Sequence, residues 1–345
     1  MGVRAHVEVP GSSLHYGPVT PRAMPRRPSR GQASHFGLAR PDGAEVFVEL
    51  EGRGRPAVVL CDGLACDGFA WKYLRPALAS RHRVVHWHYR GHGRSPLPPP
   101  SAPPPSMAQF ADDLAAVLDA THLSRAVVVG HSMGVQLALE MHRRHPDRVE
   151  ALVLICGSPG HPLDTFHDTT LLRRALPSLR RATERFPRVA QVVTRASVRS
   201  GLAMELAMSL EVNAHLLHRD DLTPYFTHVE QMDPRYFLRV MQAAAEHGAE
   251  EHLPAVDLPT LVVAGDRDRF TPTWLSRRMA LDIPGAELAL VRGGSHRASG
   301  ETCRSECRRT GFFASQGPAE PPPGRPLTQA VTGCHAFVPA RRRRS

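Results

Sequence analysis

A chain of 345 residues that is 42% apolar can bury a sizeable core, in one large domain or in one domain with an insertion. It has no run of about 18 apolar residues and no apolar segment at its N-terminus, so neither a membrane span nor a secretory signal is expected and the protein reads as cytoplasmic. The formal net charge of +10 sits at the ends, +4 in residues 1–43 and +6 in residues 297–345, and the 28 basic and 28 acidic residues between them cancel, which argues against nucleic-acid binding as the main role.

Residues 1–43 are rich in Pro, Arg, Gly and Ser without periodicity and read as a disordered leader. Residues 44–50 alternate like a strand. Residues 57–61 are a short apolar run ending at Asp62-Gly63, a buried strand and its turn. Residues 83–88 form the next strand, followed by Arg90-Gly91-His92-Gly93-Arg94-Ser95. The Pro-rich connector 96–105 is too stiff and too poor in donors for a helix or a central strand. Ser106 can cap a helix whose apolar face is Phe110, Leu114, Val117, Leu118 and Leu123. The apolar run 126–129 enters Gly130-His131-Ser132-Met133-Gly134 and a helix to about His145, closed by Pro146-Asp147. Residues 149–156 are again a strand. This rhythm predicts an α/β fold with a mostly parallel, doubly wound sheet covered on both faces.

From about residue 157 to 254 the alternation stops and the pattern is helical; strands return at 260–264 and 287–291. The predicted organisation is a first core segment at 44–157, a helical cap at 158–255, a second core segment at 256–296 and an atypical, disordered basic tail at 297–345. A helical insertion that interrupts a sheet is a cap by position. The six cysteines, Cys61, Cys66, Cys156, Cys303, Cys307 and Cys334, show no C-x-x-C or zinc-finger spacing, and Cys61 and Cys156 read as small core residues of a reduced protein.

Gly130-x-Ser132-x-Gly134 lies between a strand and a helix. A tight turn there needs small flanking residues, presents the serine oxygen above the sheet, and aims the helix N-terminus at developing negative charge. The plain alternative is an exposed serine in a glycine-rich turn. Serine needs a base, and two later loops at strand ends supply candidates: Gly265-Asp266-Arg267-Asp268 and Gly293-Gly294-Ser295-His296. His296 can take the proton from Ser132, and an acid can hold the imidazole. His86, His88 and His92 cluster in sequence, but no spaced carboxylate or cysteine completes a metal set, and no metal is expected. Phe69 and Trp71 fit either a substrate pocket or core packing.

These segments, in this order, resemble the α/β-hydrolase superfamily, specifically single-domain serine hydrolases with a helical cap, over about residues 44–296. The resemblance implies a cap inserted after the sixth strand. It assigns the acid to Asp268, three positions after Gly265, ahead of Asp266 and more distantly Asp164. It gives the oxyanion-hole N–H groups to Met133 and Leu64, and makes Arg90-Gly91-x-Gly93-x-Ser95 a structural turn with His131 packed under the serine turn. Such relatives often carry His-Gly where this chain has Asp62-Gly63. A carboxylate facing an oxyanion is unfavourable, so Asp62 is expected to turn away and hold its loop by hydrogen bonds. The implied activity is hydrolysis of a carboxylic ester or related acyl bond of a small apolar substrate through an acyl-enzyme on Ser132, without a cofactor. Perhydrolase, lactonase, thioesterase and C–C hydrolase activities use the same residues, and a catalytically impaired binding protein is the reading from another class. Serine at position 132 argues against the dehalogenase and epoxide-hydrolase branches, which need Asp there. After His296 the amphipathic helix expected of such a protein is not visible; a shift of reading frame near Arg297, or a replaced tail, would account for the change. The partner expected is a small molecule, and oligomeric state is left open.

Overall fold

The computed structural model describes residues 33–164, 170–202, 204–205, 219–296 and 337–339. Among these residues nine strands form one sheet in the order β1-β2-β4-β3-β5-β6-β7-β8-β9. The parallel centre is β3 (Val58–Cys61), β4 (Val84–Trp87), β5 (Ala126–His131), β6 (Val149–Ile155), β7 (Thr260–Gly265) and β8 (Glu287–Val291). The largely apolar sequences of β3, β4, β5 and β7 are buried on both faces, β6 is buried except at Glu150, and β8 keeps only Ala289 and Val291 buried. Alternate residues feed two cores. Val59, Cys61 and Val128 pack with Phe110, Leu114 and Leu137, whereas Val58, Leu60, Val127 and Val129 pack with Trp71 and Leu74. Helix α1 (Leu74–Ala79) belongs to the second core, and α2 (Met107–Ala120) and α3 (Met133–Arg144) to the first. Ser106 caps α2 as expected, its hydroxyl accepting the Gln109 N–H at 3.1 Å.

Two elements lie where no ordered structure was expected. β1 (Ser34–Ala39) falls inside the stretch read as a leader, and pairs antiparallel with β2 (Glu45–Glu51). Its Phe36 and Leu38 pack on the core, and Arg40-Pro41-Asp42-Gly43 closes the hairpin, with Gly43 at φ 82° and its N–H bonded to the Arg40 carbonyl. β9 (Phe337–Pro339), from the basic tail, pairs antiparallel with Ala289–Val291 of β8 and takes up edge hydrogen bonds that β8 would otherwise expose.

The cap enters after β6, the sixth strand. Among the described residues it holds α4 (Leu171–Arg185), α5 (Pro187–Arg199), α6 (Arg219–Gln231) and α7 (Pro234–Glu246). Its neck is a pair of short extended segments: Gly160 bridges Gly248, the His161 N–H reaches the His247 carbonyl, and the Ala249 N–H reaches the Pro159 carbonyl. The Gln136 amide on α3 donates to the Ala244 carbonyl at 2.8 Å, tying the end of α7 to the core. Helix α8 (Thr273–Asp282) then joins β7 to β8. No helix among the described residues is long and apolar enough to cross a membrane.

Candidate active site

Ser132 follows β5 directly and starts α3 at φ 56°, a left-handed backbone that a side chain adopts only under constraint. The constraint is close packing. A Cβ on Gly130 would run into the Gly134 carbonyl, and one on Gly134 into the Cys61 carbonyl of the neighbouring strand. The Ser132 N–H is bonded to the Ile155 carbonyl on the other side at 3.0 Å.

The loops after β7 and β8 deliver the other two candidates. His296 Nε2 lies 2.9 Å from Ser132 Oγ, and His296 Nδ1 lies 3.0 Å from Asp268 Oδ2. The residue pattern places the Nδ1 proton toward the carboxylate and leaves Nε2 to accept from the serine hydroxyl. Asp268 is buried and held on every side: Oδ1 accepts the N–H groups of Phe270 and Thr271, and Oδ2 accepts the Thr271 hydroxyl, each at 2.8 Å. Burial alone would raise its pKa; the His296 ring and these donors outweigh burial and hold it below the ordinary carboxylate value. The alternative acids go elsewhere. Asp266 is exposed and accepts the Gly293 N–H at 2.7 Å, fixing the turn before His296. Asp164 pairs with Arg173 at 3.0 Å.

Opposite the serine, the Asp62-Gly63-Leu64 loop presses its backbone against the turn. A Cβ on Gly63 would sit 3.1 Å from Ser132 Cβ. The Cys66 N–H returns to the Gly63 carbonyl at 3.2 Å and Ala65 takes φ 56°, so Leu64 heads a tight turn beside Ser132. Asp62 does turn away: it is buried and its carboxylate meets His86 Nε2 at 2.8 Å, while its carbonyl accepts the Tyr89 hydroxyl at 2.7 Å. His86 continues through Nδ1 to Glu49 at 3.2 Å, and Glu49 to Arg75 at 2.8 Å. Burial opposes charge on His86, but Asp62 and Glu49 prevail and raise its pKa to about 9. The His86 partnership, spanning three strands, had no local signal in the sequence.

His131 also does more than pack. Its Nε2 donates to the His296 carbonyl at 2.9 Å, buttressing the loop that carries the base. Trp71 is fully buried in the core, whereas Phe69 is half-buried with its ring 5.4 Å from Tyr225 of α6. Ligand atoms of Glu49, His86 and His88 lie within 4.8 Å of one another, the only such group among the described residues. Their lone pairs are committed. Both His86 nitrogens face carboxylates, and His88 Nδ1 accepts the Arg94 N–H at 2.7 Å, which puts the proton of its neutral ring on Nε2. Burial, with the nearby His86 charge, lowers the His88 pKa to about 4.

A family model described as the alpha/beta hydrolase fold matches residues 56–301. The chain belongs to this family. As an α/β-hydrolase it is 30% identical over 245 residues, 70% of this chain and 84% of the relative, to a protein of Caulobacter sp. (strain K31) named "Putative carbamate hydrolase RutD". Among solved structures, a hydrolase from Pseudomonas aeruginosa PA01 superimposes with a TM-score of 0.63 at 22% identity, covering 84% of this chain and all of that one. A thermophilic esterase from Thermogutta terrifontis gives 0.61 at 24% identity, covering 82% and 97%. Both structures share the fold of this α/β-hydrolase.

Proposed function

We propose that this α/β-hydrolase is a serine hydrolase that cleaves a carboxylic ester or related acyl bond of a small apolar substrate through an acyl-enzyme on Ser132. The observation that carries the reading is the unbroken run of contacts from Ser132 Oγ through His296 to Asp268, at 2.9 and 3.0 Å.

In the first half-reaction Ser132 Oγ attacks the acyl carbon while its proton passes to His296 Nε2. Asp268 fixes the Nδ1–H tautomer and stabilises the imidazolium. Negative charge gathers on the former carbonyl oxygen, which the backbone N–H groups of Leu64 and Met133 receive. As the tetrahedral species collapses, His296 returns the proton to the leaving alcohol. In the second half, water gives a proton to His296 and attacks the acyl carbon, and collapse regenerates Ser132 and frees the acid. No step needs a metal or an organic cofactor. A carbamate passes through the same tetrahedral species, and the name of the Caulobacter relative puts carbamates beside esters as substrates to try.

The reading is tested by treating the folded full-length protein with a fluorophosphonate and mapping the adduct, alongside turnover of p-nitrophenyl esters of graded chain length and of a p-nitrophenyl carbamate. Labelling at Ser132 with release of nitrophenol is the expected result. Folded protein that neither labels nor turns over any of these substrates would instead favour a binding protein built on the same fold.

A further inference from the structure

Helix α5 of the cap buries none of its residues. At about 100° per residue, Val189, Val192, Val193 and Ala196 fall on one face. The three valines are 60%, 66% and 57% exposed, and Phe186, just before the helix, is 57% exposed. Arg188, Arg195 and Arg199 stand in a line along one flank of this stripe, and Arg185 lies over the Phe186 ring at 5.5 Å. An exposed valine face edged by arginine is the reverse of an ordinary surface helix, which turns its apolar face inward.

The charge is as uneven as the apolar area. Residues 171–199 hold eight arginines, one glutamate and no lysine or aspartate, within a 44–296 stretch that is neutral overall. Arg173, Arg180 and Arg199 pair with Asp164, Glu184 and Glu230. Among the described residues, Arg174, Arg181, Arg185, Arg188 and Arg195 have no carboxylate partner, so most of the positive charge faces outward unneutralised.

These two features select a partner together. A nucleic acid would use the arginines but gain nothing from the valines. A second copy would cover the valines but set one strongly basic hairpin against another. An anionic bilayer satisfies both, taking valine side chains into the boundary between headgroups and acyl chains and lipid phosphates onto guanidinium groups. We propose that α5, with the basic flank of α4, docks the cap on an anionic lipid surface. This proposal is independent of the chemistry assigned to Ser132.

The test is co-sedimentation of the full chain with phosphatidylglycerol–phosphatidylcholine vesicles and with phosphatidylcholine vesicles. Wild type is compared with a Val192→Asn/Val193→Asn variant, which keeps the charge, and an Arg188→Gln/Arg195→Gln variant, which keeps the valines. All four positions are exposed, and circular dichroism melts verify that each variant is folded. The expected result is binding to the phosphatidylglycerol vesicles alone, weakened about tenfold by either pair of substitutions and by raised salt. Because both basic ends of the chain remain in every variant, binding that survives in the valine variant overturns the proposal. So does absence of vesicle binding by wild type, or a dimer in sedimentation velocity that the valine variant dissolves.

Discussion

Asp62, His86 and Asp268 are buried and each meets a polar partner within 3.0 Å, whereas α5 in the cap has no fully buried residue and presents three valines to water. The contrast separates what the two regions can tolerate. Around Ser132 each buried polar group depends on its neighbour, so removing one partner strands another in a medium that solvates it poorly. On the outer cap there is little to strand. Substitutions there leave the fold intact and change only what the surface meets.

Six variants, one of them double, bear on that contrast, ordered by expected effect. Ser132→Ala is expected to lower kcat/KM on a responsive ester about 10⁴-fold or more with an unchanged melting temperature; retention of even a tenth of the rate would remove Ser132 from the chemistry. Asp268→Asn is expected to cost roughly 10²- to 10⁴-fold in kcat, since it supplies the wrong partner for Nδ1–H. If the outer cap proved as sensitive as this, the contrast would be wrong.

Asp62→Asn is expected to lower kcat about tenfold with little change in KM, because an ill-held Leu64 N–H is felt mainly in the transition state. Exchanging the pair, Asp62→His with His86→Asp, restores part of the loss if the contact itself is what matters. The same pair sets a pH signature. His86 has a folded pKa of about 9 against an ordinary 6.5, so the folded state holds the extra proton and the resulting stability is complete below 6.5 and fades as pH rises toward 9. His88 and His92, kept neutral by burial with pKa values near 4, act with the opposite sign, and stability falls as pH drops from 6.5 toward 4. Melting temperature against pH is therefore expected to peak near 6.5, and His86→Gln is expected to flatten the alkaline limb and, by removing a charge that helps depress the His88 pKa, to soften the acid limb to a smaller extent. The smallest effect belongs to the cap: Val192→Asn is expected to alter unfolding free energy by no more than about 0.5 kcal/mol in chemical denaturation.

The α/β alternation, the Ser132 turn and the positions of Asp268 and His296 were legible because they are local, each a run of apolar residues ending in Gly, Asp or His. The choice of Asp268 over Asp266 came from family resemblance; the hydrogen bonds then give each acid a separate task. β1 was missed because a short edge strand with Gly37 and Pro41 nearby looks like a linker, although the alternation of Phe36 and Leu38 and the Pro-Asp-Gly turn were signals. The partnerships Asp62–His86–Glu49 and His131–His296 were not legible. They depend on strand register, which pairs Glu49 with His86 directly, and on contacts across 24 and 165 residues. Burial patterns name which side chains go inside, but not whom they meet there.

The register of β3 and β5 has one more implication. Cys61 lies opposite Gly130, and the two proposed oxyanion donors, Leu64 and Met133, each sit three residues beyond that rung. Their separation thus starts from the spacing of adjacent strands, about 4.8 Å in any sheet. Backbone hydrogen bonding sets it to a first approximation, as a lattice constant does, and the Asp62–His86 contact then trims the loop that carries Leu64. Substitutions in the helices outside the sheet leave that rung, and the coarse spacing it sets, where they are.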